Sequence, residues 1–116
     1  MVKLQNEKGE ILISASVFTT LVGDAATNCF GVKGMAMRSA SDGLVHLLKR
    51  EAMSKGVYIT YNDDSSISIE LHIVVENGVN IPVICASIIS EVRYKVIQAT
   101  GVQIQEVNVF VDSVSF

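Results

Sequence analysis

The sequence predicts an α+β fold in which one antiparallel sheet carries its helices on a single face. Two stretches with helical spacing of apolar residues, and a stretch of strict alternation between them, give a β-α-β-β-α-β order. The 116 residues form one predicted domain, 1–116, and a hydrophobic content of 49% is enough for a sizeable core. Charged residues make up 18%, below the usual content of about 25%, which favours self-association.

The amino-terminal third predicts a hairpin and then a helix. Residues 2–5 and 10–13 are β-prone runs on either side of an Asn-Glu-Lys-Gly turn. Ser14 is a suitable N-cap for a helix that continues to about Phe30, and Gly31 is suited to end it. Apolar residues recur there at steps of three and four, which defines a core face of Val17, Phe18, Leu21, Val22, Ala25 and Cys29.

The next segment predicts a loop or a short extended piece over 31–37 and a short second helix over about 42–52. A hairpin follows, because residues 57–61 and 67–75 alternate between apolar and polar side chains around an Asn-Asp-Asp-Ser turn. Odd-numbered residues of the second strand are apolar without exception, so they are predicted to face the core.

The carboxyl-terminal third predicts a long helix and a last strand. Asn80 is the expected N-cap, Pro82 lies in the first turn, and Gly101 is suited to end the helix. The predicted core stripe is Cys85, Ile88, Ile89, Val92, Val96 and Ala99. The last strand is predicted over about 103–111, with Phe110 on the face away from the core.

No pattern in the sequence predicts catalysis, a cofactor or a metal site. His46 and His72 are the only histidines, neither is close in sequence to a cysteine, and zinc needs about four clustered ligands. There is no nucleophile elbow and no phosphate-binding P-loop. The start of the chain has no apolar secretory segment and no apolar run is long enough to span a membrane, so a cytoplasmic location is expected.

One alternative function is a nucleic-acid-binding module. Residues Gly31 to Gly34 match the Gly-x-x-Gly loop with which KH modules clamp single strands. The net charge of −3 disfavours this alternative, because phosphate-binding proteins are usually basic.

The order and spacing of four stretches resemble the alkaline shock protein family of Gram-positive bacteria. These are residues 28–36 (NCFGVKGMA), 47–57 (LLKREAMSKGV), 75–82 (VENGVNIP), and 100–102 leading into 107–111 (VNVFV). The long helix departs from the family pattern, because 83–90 contains no charged residue.

The resemblance implies a non-enzymatic envelope stress response or scaffold protein without catalytic residues. It further implies self-association, a location near the inner face of the membrane through a membrane-anchored partner, and a link with fatty-acid metabolism.

The expected association surface is the sheet face that no helix covers. The alternation places Tyr58, Thr60, His72, Val74 and Phe110 on that face. A second candidate is the outer face of the long helix through Ile84 and Ile97, which the predicted core stripe leaves out. Exposed apolar patches of this kind mark interaction sites.

Overall fold

The computed structural model describes residues 1–38, 45–47 and 56–116. In chain order the elements are β1 (Val2–Asn6), β2 (Gly9–Ile13), α1 (Ala15–Thr27), β3 (Val32–Arg38), β4 (Val45–Leu47), β5 (Val57–Tyr61), β6 (Ile67–Glu76), α2 (Ile81–Thr100) and β7 (Ile104–Ser115). The predicted α+β fold with its amino-terminal hairpin is confirmed. β1 and β2 form that hairpin, and the other five strands form one sheet.

Strand β6 is the centre of the five-stranded sheet. On one edge it pairs antiparallel with β5 over 67–71 and with β3 over 73–75, so these two strands follow one another along the same edge. Gly56 lies where they meet, since a Cβ there would come within 2.8 Å of the Ala36 carbonyl oxygen. The other edge of β6 pairs with β7 along its whole length.

The pairing of β6 with β7 is parallel, whereas the other strand pairs are antiparallel. Helix α2 connects the two strands and returns the chain to the end where β6 began, so β7 must run in the same direction. This crossover sets helix α2 against β7.

Both helices pack on the same face of the sheet. The odd-numbered residues of β6 pack against Phe18 and Val22 of α1 and against buried residues of α2. These β6 residues are at most 1% exposed: Ile67, Ile69, Leu71, Ile73 and Val75. The buried stripe of α2 repeats every fourth residue, as Ile84, Ile88, Val92 and Val96. Burial of side chains this size stabilises the fold by about 1.5–3 kcal/mol each.

The predicted ends of α2 are confirmed. The Asn80 side chain accepts a hydrogen bond from the Val83 backbone N–H, and Pro82 lies in the first turn. Gly101 ends the helix in the left-handed conformation at φ +73°. This arrangement satisfies backbone groups that a helix terminus otherwise leaves unpaired.

Of the two alternatives predicted for 31–37, the extended piece agrees with the structure, because residues 32–38 form strand β3. Its glycine, Gly34, interrupts the alternation that would have distinguished a strand from a loop. The β3–β6 register shifts between Val32 and Gly34, so this irregularity accommodates the glycine.

The short helix predicted over 42–52 is wrong at 45–47, which form strand β4 on the outer edge of β3. The remainder of that prediction lies outside the described residues. Pairing with a neighbouring strand overrides the local helical pattern at these three residues.

Three predictions about helix faces are also wrong. Ile84 was expected on the outer face of α2, but it is 6% exposed and part of the core. Val17 was expected in the core, but it is 42% exposed near the start of α1. Ala99 was expected in the core stripe of α2, but it is exposed near the end of that helix. Spacing defines a helix face only approximately, and the packing of the helix on the sheet decides which of its residues are covered.

Candidate interaction surface on the open face of the sheet

The sheet face opposite the helices carries a compact cluster of five side chains, hereafter the His72 cluster: Tyr58, Glu70, His72, Phe110 and Asp112. Alternation along β6 places Glu70 and His72 on this face. The strand register then sets Tyr58 opposite Glu70 and Phe110 opposite His72. Residues from three adjacent strands therefore meet at one point of the sheet.

His72 lies between two carboxylates. Its Nδ1 is 2.8 Å from Oδ2 of Asp112, and its Nε2 is 2.6 Å from Oε2 of Glu70. An ionised carboxylate only accepts hydrogen bonds, so two ionised partners require both ring nitrogens to donate. The arrangement therefore holds the imidazole between the two carboxylates at both of its nitrogens.

Strand β7 is irregular beside His72. Ile73 pairs with Val111 and Val74 pairs with Ser113, so Asp112 is an extra residue in the ladder. Asp112 nevertheless lies next to the His72 ring, within hydrogen-bond distance of Nδ1.

Two aromatic rings enclose the imidazole. The Phe110 ring stacks on it, with centroids 4.8 Å apart and an interplanar angle of 9°, and the Tyr58 ring meets it edge-on at 5.5 Å and 89°. His72 is 3% exposed, while Tyr58 and Phe110 remain 40% and 44% exposed. The cluster therefore presents two half-exposed aromatic rings, Tyr58 and Phe110, that both pack against the buried imidazole.

The structure brings together only part of the predicted surface. Tyr58, Thr60 and Phe110 are exposed on the open face as predicted, but His72 and Val74 are buried there, with Val74 only 4% exposed. The expectation that they would be bare is wrong, because side chains of the cluster enclose His72, and Val74 is buried where β6 pairs with β3.

The carboxylates of the cluster were missed at the sequence level. The Glu-Leu-His spacing at 70–72 does place the first carboxylate beside the ring, since alternate residues of a strand share a face. The same spacing is present on β7, where Asp112 follows Phe110 by two residues, but the pairing that sets β7 beside His72 has no local signal.

Of the two residues predicted on the outer face of the long helix, one is exposed. Ile97 is 44% exposed on α2, while Ile84 belongs to the core. Exposed apolar residues on this helix also include Val83 and Tyr94.

The two cysteines are free and half-buried, and Cys29 packs against the core. Burial and then the nearby Glu91 carboxylate raise the pKa of the Cys29 thiol, although a hydrogen bond with Ser87 opposes this. Burial raises the pKa of Cys85. A cavity of about 280 Å³ between the helices adjoins Cys29, Ser87 and Glu91. Both thiols are therefore weak nucleophiles at neutral pH.

The Gly31 to Gly34 segment does not form an exposed loop between two helices. Gly31 is buried at φ +88°, and its carbonyl accepts the Glu76 N–H at 2.9 Å. Val32 then begins β3. Nothing in this geometry favours a nucleic-acid clamp.

Within the described ranges, no three His, Cys, Asp or Glu side chains are placed to hold a metal ion. Over those same residues, neither helix has the length and hydropathy required to cross a bilayer.

Comparison with known proteins identifies relatives along almost the whole chain. The model of the alkaline shock protein 23 family, described as having a cell envelope-related function, matches residues 3–116. The chain is 32% identical to the uncharacterized protein YloU of Bacillus subtilis over 114 residues, covering 97% of this chain and 94% of YloU.

Two further relatives are similar to a comparable degree. The chain is 35% identical to the uncharacterized protein Spy1614 of Streptococcus pyogenes, covering 97% of this chain and 93% of that protein. It is 31% identical to the uncharacterized protein YqhY of Bacillus subtilis, covering 93% and 78% respectively. No solved structure matches. Because the family model spans nearly the entire sequence, this chain belongs to the alkaline shock protein 23 family, whose function is related to the cell envelope.

Proposed function

We propose that this protein is a non-enzymatic scaffold of the cell envelope that self-associates and binds a protein partner at the inner face of the membrane. The observation that carries the proposal is the His72 cluster, in which two half-exposed aromatic rings are fixed on the sheet face opposite the two described helices. The envelope-related function of the family supports the location.

The rigidity of the cluster favours binding. The Phe110 ring rests on the imidazole, which two carboxylates hold in place. A ring that is already fixed loses little conformational entropy when a partner covers it, and aromatic residues contribute strongly to interfaces.

Two observations favour a non-enzymatic role. Both nitrogens of His72 are bonded to carboxylates, so the ring offers no atom to a substrate. The raised pKa values of Cys29 and Cys85 keep both thiols protonated at neutral pH. The partner classes that the family resemblance implies are a membrane-anchored protein and a protein of fatty-acid metabolism.

Localisation in cells tests the partner surface. We expect a fluorescent fusion of this protein in Bacillus subtilis to concentrate at the cell periphery, and the Tyr58→Ser, Phe110→Ser double variant to become diffuse at equal abundance. Thr60→Ser is the matched control, because Thr60 is exposed on the same face outside the cluster. Peripheral fluorescence of the folded double variant would contradict the proposed surface.

Self-association is tested separately with purified protein. We expect the sedimentation coefficient to increase with protein concentration up to about 100 µM, a range in which a dimer with a micromolar Kd is mostly formed. A constant monomer value would remove self-association from the proposal.

A further inference from the structure

The chain contains six asparagines, and one of them, Asn77, is followed directly by glycine. The side-chain amide of an asparagine is open to attack by the backbone nitrogen of the next residue, a reaction that closes a cyclic imide. Because both groups belong to the same chain, the rate depends on how freely they meet. Glycine hinders this approach least, since it has no Cβ and the widest choice of backbone conformations.

Both reacting groups are free at this position. Among the residues that the structure describes, the Asn77 side chain has no hydrogen-bond partner and the Gly78 N–H is donated to no acceptor. Both residues are exposed, and a Cβ added at Gly78 would meet nothing within 4 Å. They border an open cavity of about 400 Å³, which gives water access to the pair.

The other asparagines are less available for the same reaction. Side-chain hydrogen bonds hold four of them: Asn6, Asn28, Asn62 and Asn80. The fifth, Asn108, lies inside strand β7 and precedes Val109, whose branched side chain crowds the backbone nitrogen. Sequence and structure therefore both single out Asn77.

The position of Asn77 in the fold decides where a change in its backbone would be felt. Its N–H donates to the Ser115 carbonyl oxygen at 3.0 Å, in continuation of the pairing of β6 with β7. Three residues further on, Asn80 caps helix α2. A change in backbone length at Asn77 is thus confined to residues 78–80, directly before the helix.

We propose that Asn77 is a site of spontaneous deamidation in the folded protein, which converts it into aspartate and isoaspartate. The Gly78 nitrogen forms a bond with Cγ of Asn77 and gives up its proton. The bond from Cγ to the side-chain nitrogen breaks, and that nitrogen takes up a proton and leaves as ammonia. Solvent water then opens the cyclic imide, and no group is oxidised or reduced.

The two products differ in their effect on the backbone. Attack of water at Cγ restores the ordinary main chain and leaves an aspartate at position 77. Attack at the backbone carbonyl carbon leaves the chain running through the former side chain, so the isoaspartyl form has one more methylene between β6 and α2. Because the pairing of β6 with β7 holds the preceding residues, this form should loosen the first turn of α2.

Incubation of the purified chain at mildly alkaline pH measures the reaction, because base promotes loss of the Gly78 proton. Peptide mapping by mass spectrometry follows the exchange of the amide NH₂ for OH at each asparagine, and methylation by a protein isoaspartyl methyltransferase identifies the isoaspartyl form. We expect Asn77 to deamidate at least about tenfold faster than Asn80, which lies in the same connection.

Substitutions at the pair test the mechanism. Gly78→Ala should slow deamidation of Asn77 by about tenfold or more, because a Cβ shields the attacking nitrogen. There is space for that Cβ, so the variant keeps its fold. Asn77→Ser should remove the acidic products of this peptide altogether. Asn80→Ser is the matched control, since serine is also an N-cap, and the rate at Asn77 should not change.

Hydrogen exchange of the separated forms measures the effect on α2. We expect backbone amides of residues 81–84 to exchange at least about threefold faster in the isoaspartyl form than in the unmodified chain, while those of β6 keep their protection. The Asn77→Asp variant is the control, because it adds the carboxylate without lengthening the backbone, and its α2 amides should exchange as in the unmodified chain.

Deamidation of Asn77 that is no faster than that of Asn80 would overturn the proposal. It would also be overturned by deamidation that requires unfolding in urea, or that continues at the same rate in Gly78→Ala. Equal exchange of the α2 amides in the isoaspartyl and unmodified forms would overturn the expected effect on the helix.

Discussion

His72 is the residue whose environment departs most from what a strand on an open sheet face suggests. It is almost fully buried, bonded at both nitrogens and stacked on Phe110. Removal of the ring would remove both of these hydrogen bonds and the surface on which Phe110 stacks.

We therefore expect His72→Ala to lower the free energy of unfolding by about 2–4 kcal/mol, because it removes a buried ring together with its two hydrogen bonds and its stacking contact. Asp112→Asn is the milder comparison, since the amide oxygen still accepts from Nδ1, and we expect a loss of about 1 kcal/mol. Urea unfolding measures both. Equal, small losses would contradict the bridging role of the imidazole.

Gly31 is required for two reasons that a matched variant can separate. Its φ is +88°, and a Cβ there would collide with the Cδ1 atom of Ile84. Gly78 has nearly the same φ, +90°, but a Cβ there would meet nothing within 4 Å.

We expect Gly78→Ala to cost about 1 kcal/mol in the free energy of unfolding, from backbone strain alone. Gly31→Ala should cost about 1–3 kcal/mol more, because the core must also shift. Chemical denaturation of the two variants gives the difference directly. Equal costs would show that the Ile84 side chain moves aside freely.

At the scale of the element, α2 and β7 differ in which apolar residues the fold needs. The buried stripe of α2 includes Ile84, whereas Phe110 of β7 faces away from the core. The same substitution in each element should therefore have different effects.

We expect Ile84→Asp to unfold the protein, because it places a carboxylate in the core without a partner. Phe110→Asp should keep the fold, at a cost of about 1–2 kcal/mol for the lost contact with His72, and should weaken self-association. Circular dichroism and sedimentation distinguish these results. A folded Ile84→Asp variant would contradict this, and would show that the buried residues essential for the fold begin further along α2 than Ile84.

At the scale of the whole molecule, the chain is elongated, with extents of 54 × 31 × 24 Å. The β1–β2 hairpin forms a separate two-stranded sheet. It contacts the main core through Val2, whose side chain is buried there. An isolated two-stranded hairpin is only marginally stable in water, so docking keeps it ordered.

We expect Val2→Asp to release the hairpin while the five-stranded sheet stays folded. Limited proteolysis should then cut within residues 3–13 at least about tenfold faster, because local opening needs little free energy once the docking contact is lost. Lys8→Asp is the control, since Lys8 is exposed at the hairpin turn. Loss of all structure in Val2→Asp would show that the hairpin is integral to the core.

By itself the sequence determined the elements whose signals are local. The alternation over 57–75 predicted β5 and β6, and Asn80, Pro82 and Gly101 predicted the ends of α2, because turns and caps depend on neighbouring residues only. The open face and the exposure of Tyr58 and Phe110 followed from the same alternation.

Only the tertiary structure decided the features that depend on residues distant in sequence. For 31–37 the sequence left a loop and a short extended piece open, and pairing with β6 decides for strand β3. Ile84 joined the core through the packing of α2 on the sheet. The contact of His72 with Asp112, forty residues away, depends on the pairing of β6 with β7. Periodicity states which residues share a face, but the packing of separate elements decides whether that face is covered.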